Sequence, residues 1–221
     1  MIISLTGFMG CGKSSVGRKL SELLCCPFMD LDDVIVESAG RSIPEIFASE
    51  GEAGFRQMES EALKQVITPS VMNQCAPLAP SHVVGPSPYA GMRKCQFLTS
   101  VSSPEDETLV LALGGGAVMT RECAEIVKEQ TCCVYLKASI ETLIEHLSGK
   151  ADGRPMLQGK AASQEAGTSL RGAERRGNPL QERIAELMAQ RCETYENTAH
   201  IIIDTDGKSI EAIASEIISL L

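Results

Sequence analysis

The sequence lacks the features that mark membrane, secreted and nucleic-acid-binding proteins. It has no apolar run of about 18 residues, the length that crosses a membrane as a helix, so we expect no membrane partner. It carries 20 lysine and arginine residues against 29 aspartate and glutamate residues, a net charge of −9. Because nucleic-acid-binding proteins carry a basic face, this balance argues against a nucleic-acid partner. Met1 to Leu5 lead straight into a glycine-rich stretch with no basic segment, so we expect no signal peptide.

Paired-cysteine and metal-binding motifs are also missing. The nine cysteines are odd in number, none forms a C-x-x-C pair, and most lie in apolar stretches, where cysteine acts as a small buried hydrophobe. The three histidines, His82, His146 and His200, show no metal-ligand spacing, and no H-E-x-x-H or zinc pattern occurs. These absences favour a reduced, cytoplasmic protein.

The most informative feature that is present is the segment 7–14, which fits the pattern G-x-x-x-x-G-K-[ST]. An apolar run precedes it, and apolar residues at helical spacing follow it. Strand, glycine loop and helix together predict a phosphate-binding loop, whose backbone N–H groups and helix N-terminus face phosphate oxygens. We expect Lys13 to reach the β- and γ-phosphates and the Ser14 hydroxyl to ligate Mg²⁺. Cys11 is either a thiol activated by the helix N-terminus or a small residue that fills a permissive position.

Apolar runs alternate with helical patterns along the rest of the chain. The runs are continuous, as in a parallel sheet covered on both faces, and predict strands at 2–6, 27–32, 109–113, 132–136 and 200–204. A capping box, Ser42 to Glu45, opens a helix through about residue 66, and further helices are predicted near 120–129, 140–147, 180–196 and 209–220. This alternation predicts one α/β domain, residues 1–221, with three layers and right-handed crossovers.

Two stretches interrupt the alternation. Residues 67–106 hold six of the ten prolines and no periodicity. Because a loop of this length is unusual inside a compact domain, we interpret it as an insertion. Residues 149–178 are rich in glycine, arginine, lysine and alanine and lie between two predicted helices. We interpret this second stretch as an extended, mobile lid.

Acidic residues and glycines follow two of the predicted strands. Asp30, Asp32 and Asp33 lie after the second strand, at the edge of a parallel sheet where ligands bind. One carboxylate could support Mg²⁺ while another accepts a proton from a hydroxyl, and the alternative is helix capping by Asp32 or Asp33. The triplet 114–116 ends the third strand and indicates either close approach of a ligand or a plain turn.

Three arginines are candidates for binding carboxylates or phosphates, because planar guanidinium groups match both. Arg56 lies on the long helix with Glu59 one turn on, Arg154 lies in the predicted lid, and Arg191 lies on a late helix four residues before Tyr195. Taken singly, each could be a solvated surface residue, which is the usual place of an arginine.

Together and in this order, the motifs resemble those of the shikimate kinases. The resemblance covers nearly the whole chain apart from the insertion at about 67–106 and the part of the predicted lid that follows Leu157. It rests on the phosphate loop at 7–17, the D-x-D of Asp30 to Asp32, the segments 40–47 and 51–59, the glycine triplet at 114–116, the R-P-M-L at 154–157 and the R-x-x-x-Y from Arg191 to Tyr195. Shikimate kinases often stack an arginine on adenine just before the lid, and here that neighbourhood reads His146-Leu147.

The resemblance implies a P-loop NTPase fold with a five-stranded parallel sheet of order 2-3-1-4-5. It implies a monomer that phosphorylates the 3-hydroxyl of shikimate from Mg²⁺-ATP in the shikimate pathway. Lys13, Asp32 and Arg154 would act in catalysis, with Asp32 as the proton acceptor. The nucleotide and its metal would be held by Gly10, Cys11, Gly12, Lys13, Ser14, Ser15 and Arg154, with Ser14 and Asp30 at Mg²⁺. Shikimate would be held by Asp32, Phe47, Phe55, Arg56, Gly114, Gly115, Gly116 and Arg191.

Two other functions remain open on the sequence. A related small-molecule kinase, such as a gluconate kinase, would explain the phosphate loop but not the combination of Arg56 and Arg191 with the glycine triplet. A nucleotide-binding protein without turnover would not explain the intact Lys13, Asp32 and Arg154.

Overall fold

A computed structural model describes residues 1–67, 108–147 and 179–221. The expected insertion, beyond residue 67, and the expected lid at 149–178 with Arg154 lie outside these described residues. Among the helices of the described ranges, none is long and apolar enough to span a membrane.

The centre of the structure is a parallel sheet of five strands. The strands are β1 (Ile2–Thr6), β2 (Phe28–Asp30), β3 (Leu109–Ala112), β4 (Cys132–Lys137) and β5 (Ile201–Asp204). Their spatial order is β2-β3-β1-β4-β5, which confirms the predicted fold class and strand order. In the register, Ile3 lies opposite Val110 of β3 and Cys132 of β4, and β1 is buried along its whole length.

Helices cover both faces of this sheet. They are α1 (Lys13–Leu24), α2 (Leu31–Ala39), α3 (Ile43–Ile67), α4 (Arg121–Gln130), α5 (Ile140–Leu147), α6 (Pro179–Thr198) and α7 (Ile210–Leu220). One apolar core packs beneath α2, α3 and α4. A second packs beneath α1, α5 and α7, and α6 contributes side chains to both cores. The two cores make the three layers that the sequence predicts.

Two local features differ from the sequence-based expectation. The second strand ends at Asp30 and gives way at once to α2, a helix that we did not predict. Its cap is Asp30, whose Oδ1 accepts the N–H of Asp32 at 3.1 Å, so capping by Asp32 or Asp33 is wrong. The long helix α3 is interrupted at Gly51, where φ is 69° and ψ is −171°.

The candidate site lies at the carboxyl ends of the strands. β1 ends at the phosphate loop, β2 ends at Asp30, and β3 runs into the glycine triplet. In parallel sheets these ends share one edge, and ligands bind in the crevice outside it. The fold therefore brings the motifs together although they are far apart in sequence.

Candidate active site

The loop between β1 and α1 has the backbone of a phosphate cradle. Gly7, Gly10 and Gly12 have φ values of 143°, 89° and 92°, which residues with a side chain rarely adopt. A Cβ on Gly7 would also lie 2.7 Å from the Leu136 carbonyl oxygen. The loop leads directly into α1, and the N–H groups in the first turn of a helix have no acceptor within that helix. These groups are donors for phosphate oxygens.

Lys13 lies folded back over this loop. Its Nζ donates to the carbonyl oxygens of Gly7 at 2.9 Å and Phe8 at 3.1 Å. The ammonium group is therefore held at the mouth of the loop by weak neutral acceptors. Phosphate oxygens would be stronger acceptors for it.

Cys11 is buried in the core beneath the loop, with its Sγ 4.0 Å from Lys13 Nζ. A Cβ on Gly7 would lie 2.9 Å from this sulfur, so the thiol fills the space against the loop backbone. This packing favours a space-filling role for Cys11.

Ser14 and Asp30 form a pair of oxygen ligands beside the loop. The Ser14 Oγ donates to Asp30 Oδ2 at 2.6 Å, and the other Asp30 oxygen caps α2. Hydroxyl and carboxylate oxygens suit a hard cation such as Mg²⁺. Within the described ranges, no three or more His, Cys, Asp or Glu side chains cluster as a metal site. A cation here would therefore share its ligands with phosphates and water.

A cavity of about 710 Å³ runs along the edge of the sheet and joins the loop to the other predicted residues. Of the predicted site residues, all but Arg154, which lies outside the described ranges, line it. They are Gly10, Cys11, Gly12, Lys13, Ser14, Ser15, Asp30, Asp32, Phe47, Phe55, Arg56, Gly114, Gly115, Gly116 and Arg191. The cavity thus has a phosphate-binding side and a second side with arginines and carboxylates.

Two of the three predicted arginines converge on the glycine triplet from different helices. A Cβ on Gly116 would collide with the guanidinium of Arg56 on α3. Arg191 on α6 is buried, and its Nη1 donates to the Gly115 carbonyl oxygen at 3.4 Å. The Tyr195 hydroxyl donates to the same oxygen. A side chain at 116 would displace the Arg56 guanidinium, so the close approach of an arginine to the backbone favours a role of the triplet in the site over a plain turn.

Glu59 is a site residue that the sequence analysis did not assign. It is 1 % exposed, and its Oε2 accepts from Arg56 Nη1 at 2.6 Å. Its other oxygen, Oε1, has no hydrogen-bond partner among the described residues and lies 2.5 Å from where a Cβ on Gly114 would be. Burial raises the pKa of Glu59, against the opposing effect of Arg56. The signal in the sequence was the spacing of three from Arg56, which places both on one helix face.

Asp32 faces the same part of the cavity from α2. Burial raises the pKa of Asp32, and the neighbouring Asp30 raises it further, while Lys13 lowers it. A carboxylate in this environment is a better proton acceptor than an exposed one. The rings of Phe47 and Phe55, with centroids 4.7 Å apart, form an apolar wall nearby.

The sequence analysis assigned no site residue on the β4–β5 side of the cavity, although it noted His146-Leu147 where related enzymes contact adenine. His146 at the end of α5, together with Thr205, Lys208 and Ile210 after β5, lines this side. These residues lie on one side of β1, and Asp32 and Arg56 lie on the other. They therefore flank the phosphate loop on the side that faces away from the arginines. The rule that ligands bind at the carboxyl ends of parallel strands could have found them, because β5 ends at Asp204.

Comparison with known proteins agrees with this geometry. The profile of the family described as shikimate kinase matches residues 9–74 and 93–221. The chain belongs to the shikimate kinase family. Enzymes of this family use ATP as a co-substrate, and the resemblance inferred from the motifs is confirmed.

Individual shikimate kinases match over nearly the whole chain. The enzyme of Thermus thermophilus is 33 % identical over 219 residues, which span 99 % of this chain and 89 % of that protein. The enzyme of Chlorobium chlorochromatii is 34 % identical over 216 residues, 98 % of this chain and 88 % of that protein. The structure of Acinetobacter baumannii shikimate kinase in complex with shikimate matches with a TM-score of 0.71 and 27 % identity, covering 99 % of this chain and 91 % of that one.

Proposed function

We propose that this chain transfers the γ-phosphoryl group of ATP to the 3-hydroxyl of shikimate, forming shikimate 3-phosphate and ADP in the shikimate pathway. The observation that carries the proposal is the convergence of Arg56 and Arg191 on the glycine triplet beside Asp32, in the same cavity as the phosphate loop. Membership of the shikimate kinase family supports the choice of substrate.

The arginines and the glycine triplet bind the carboxylate of shikimate. Arg56 is held by Glu59 and lies over the Phe55 ring, and Arg191 is held by the Gly115 carbonyl. Two guanidinium groups with fixed positions match a carboxylate in charge and in planar geometry. The backbone N–H groups of Gly115 and Gly116 supply further donors because no side chain blocks the approach.

Asp32 orients the 3-hydroxyl and accepts its proton. The hydroxyl oxygen forms a bond to the γ-phosphorus, the bond from phosphorus to the β,γ-bridging oxygen breaks, and ADP leaves with that electron pair. The raised pKa of Asp32 suits it to take the hydroxyl proton as the new bond forms. The apolar wall of Phe47 and Phe55 packs against the same region and excludes water.

The phosphate loop, Lys13 and Arg154 stabilise charge on the transferring group. Phosphoryl transfer depends mainly on positioning and on electrostatic stabilisation. Lys13, now bonded to two loop carbonyls, exchanges them for phosphate oxygens when ATP binds. Arg154 belongs to the segment proposed as a lid and is assigned by its motif.

The oxygens of Ser14 and Asp30 fit Mg²⁺, because they lie 2.6 Å apart next to the loop. Ser14 would hold the cation directly through its hydroxyl, and Asp30 would support it through water. A cation held there would neutralise charge on the β- and γ-phosphates.

We further propose that the enzyme is monomeric and cytoplasmic and that residues 1–221 form one domain. We also propose that it binds no nucleic acid. The net charge of −9 supports the last point. Size-exclusion chromatography with light scattering tests whether the enzyme is a monomer.

Ligand-dependent thermal stability and product analysis test the function. A ligand stabilises only a fold that binds it, so ATP and shikimate should each raise Tm. A response to ATP without any response to shikimate would indicate a nucleotide-binding protein instead. Phosphorus NMR of the product should show a phosphate monoester coupled to the proton at C3 of shikimate. Phosphorylation of gluconate in preference to shikimate would contradict the proposal.

A further inference from the structure

The last turn of α5 rests directly on the phosphate loop. His146 Nδ1 lies 2.8 Å from the carbonyl oxygen of Gly10. A carbonyl oxygen can only accept, so Nδ1 carries the hydrogen and donates it. The next residue, Leu147, is fully buried, and its Cγ would lie 3.0 Å from a Cβ on Gly10. Gly10 is therefore covered by an apolar side chain and held by one directional hydrogen bond.

The hydrogen bond from His146 is one of two that hold the peptide group between Gly10 and Cys11. The N–H of Cys11, which belongs to the same peptide, donates to the Phe8 carbonyl at 3.2 Å. Gly10 has a φ of 89° and no side chain, so its own backbone does little to prevent rotation of this peptide. A rotation of this peptide would break both hydrogen bonds and exchange the directions of its carbonyl and its N–H. The hydrogen bond from His146 opposes that rotation.

The other end of α5 is anchored to the loop that follows β5. Both carboxylate oxygens of Asp206 accept the Ser139 N–H, at 3.0 and 3.1 Å. Thr205 and Lys208, on either side of Asp206, line the β4–β5 side of the cavity. The short helix α5 is thus fixed at its start by a carboxylate and can act as a rigid support for His146.

We propose that His146 is a positioning residue for nucleotide binding, which acts through the Gly10 carbonyl to keep the phosphate loop in its phosphate-accepting conformation. The proposal rests on the proposed function only in requiring that the loop binds phosphates. It concerns the polyphosphate and not the base, so it predicts the same effect on ligands with and without adenine.

The test compares His146→Asn with His146→Leu. The amide nitrogen of asparagine can occupy the place of Nδ1 and still donate, whereas leucine has a similar size and no donor. Binding of ADP and of inorganic tripolyphosphate, which has neither base nor sugar, is measured by calorimetry without shikimate. Loss of one exposed hydrogen bond should weaken binding about three- to tenfold. We expect His146→Leu to weaken both ligands by the same factor, and His146→Asn to stay within about twofold of the original protein.

Three results would overturn the proposal. An effect on ADP but not on tripolyphosphate would place His146 at the base. Equal loss in the asparagine and leucine variants would show that the donated hydrogen bond is irrelevant. Unchanged binding in His146→Leu would show that the loop keeps its conformation without it. Because none of these measurements contains shikimate, a wrong substrate assignment would not affect them.

Discussion

The Arg56 guanidinium is paired with Glu59 at 2.6 Å, and this pair leaves one Glu59 oxygen without a partner among the described residues, beside Gly114 and Asp32. The side chain of Arg56 is 17 % exposed, while that of Glu59 is 1 % exposed. The buried carboxylate therefore sets the position of the more exposed arginine. Removing one partner of such a pair is costly, because the other charge is left uncompensated.

Glu59→Gln should raise the KM for shikimate about tenfold or more. Glutamine keeps the shape of the side chain but removes the charge that holds Arg56, and a charge-assisted hydrogen bond contributes about 1.5–3 kcal/mol. Steady-state kinetics with varied shikimate checks this, and the Kd for ADP should be unchanged. Glu61→Gln is the matched control, since Glu61 is exposed two residues further along α3. An unchanged KM in Glu59→Gln would show that Arg56 needs no such support.

Gly116→Ala should impair shikimate binding and leave nucleotide binding intact. The added Cβ collides with the Arg56 guanidinium, so the arginine must leave the position in which we propose that it binds shikimate. We expect the KM for shikimate to rise at least tenfold, with the Kd for ADP within about twofold of the original. Gly40→Asn serves as the control, because nothing lies within 4 Å of a Cβ there and asparagine tolerates its φ of 62°. Loss of ADP binding in Gly116→Ala would mean that the change disrupts the whole edge of the sheet.

Much of this site could be predicted from sequence because its motifs are local. The phosphate loop is a contiguous pattern, and its glycines are where the backbone has positive φ. Each of the five apolar runs contains a strand, as continuous apolar stretches indicate for a parallel sheet, although Ile202 on the edge strand β5 is exposed.

The features that were missed depend on context. The helix α2 contains Val34, Ile35 and Val36, whose β-branched side chains favour strands. It is helical because Asp30 caps its start and because Leu31 and Ile35 pack into the core. The unpaired oxygen of Glu59 exists only in the folded environment. The contact between His146 and Gly10 joins residues 136 positions apart, which no local pattern encodes.

Asp32 should make stability and activity depend on pH in opposite directions. Burial raises its pKa in the folded protein above the unfolded value of about 3.9. Between the two values the folded protein binds more protons, so the free energy of unfolding falls as pH rises through this window. Activity should rise over the same window as the proton acceptor ionises.

Asp32→Asn tests both statements. Thermal unfolding should show the variant to be more stable than the original protein at pH 7.5, with the difference shrinking toward pH 4, and turnover should be lost. Glu37→Gln, an exposed position on the same helix, should leave the pH profile of Tm unchanged. A pH-independent difference in Tm between Asp32→Asn and the original would contradict the assignment.

Ser14→Ala should raise the Mg²⁺ concentration required for half-maximal turnover, because it removes the hydroxyl beside Asp30. Ser14→Thr keeps a hydroxyl at the same place and should restore the original requirement. Titration of Mg²⁺ at saturating ATP and shikimate measures the effect, which we expect to be about tenfold or more. Equal Mg²⁺ requirements in the alanine and threonine variants would exclude Ser14 as a ligand.

The most direct test of the central claim is ADP release in a coupled assay with Mg²⁺-ATP, with and without shikimate. The account predicts release that requires shikimate, is lost in Asp32→Asn and is sharply reduced in Arg56→Ala. The exposed control Arg121→Ala, whose side chain is 92 % exposed, should behave like the original protein. ADP release that is absent, or that proceeds equally without shikimate, would contradict the proposed substrate and the roles given to Asp32 and Arg56.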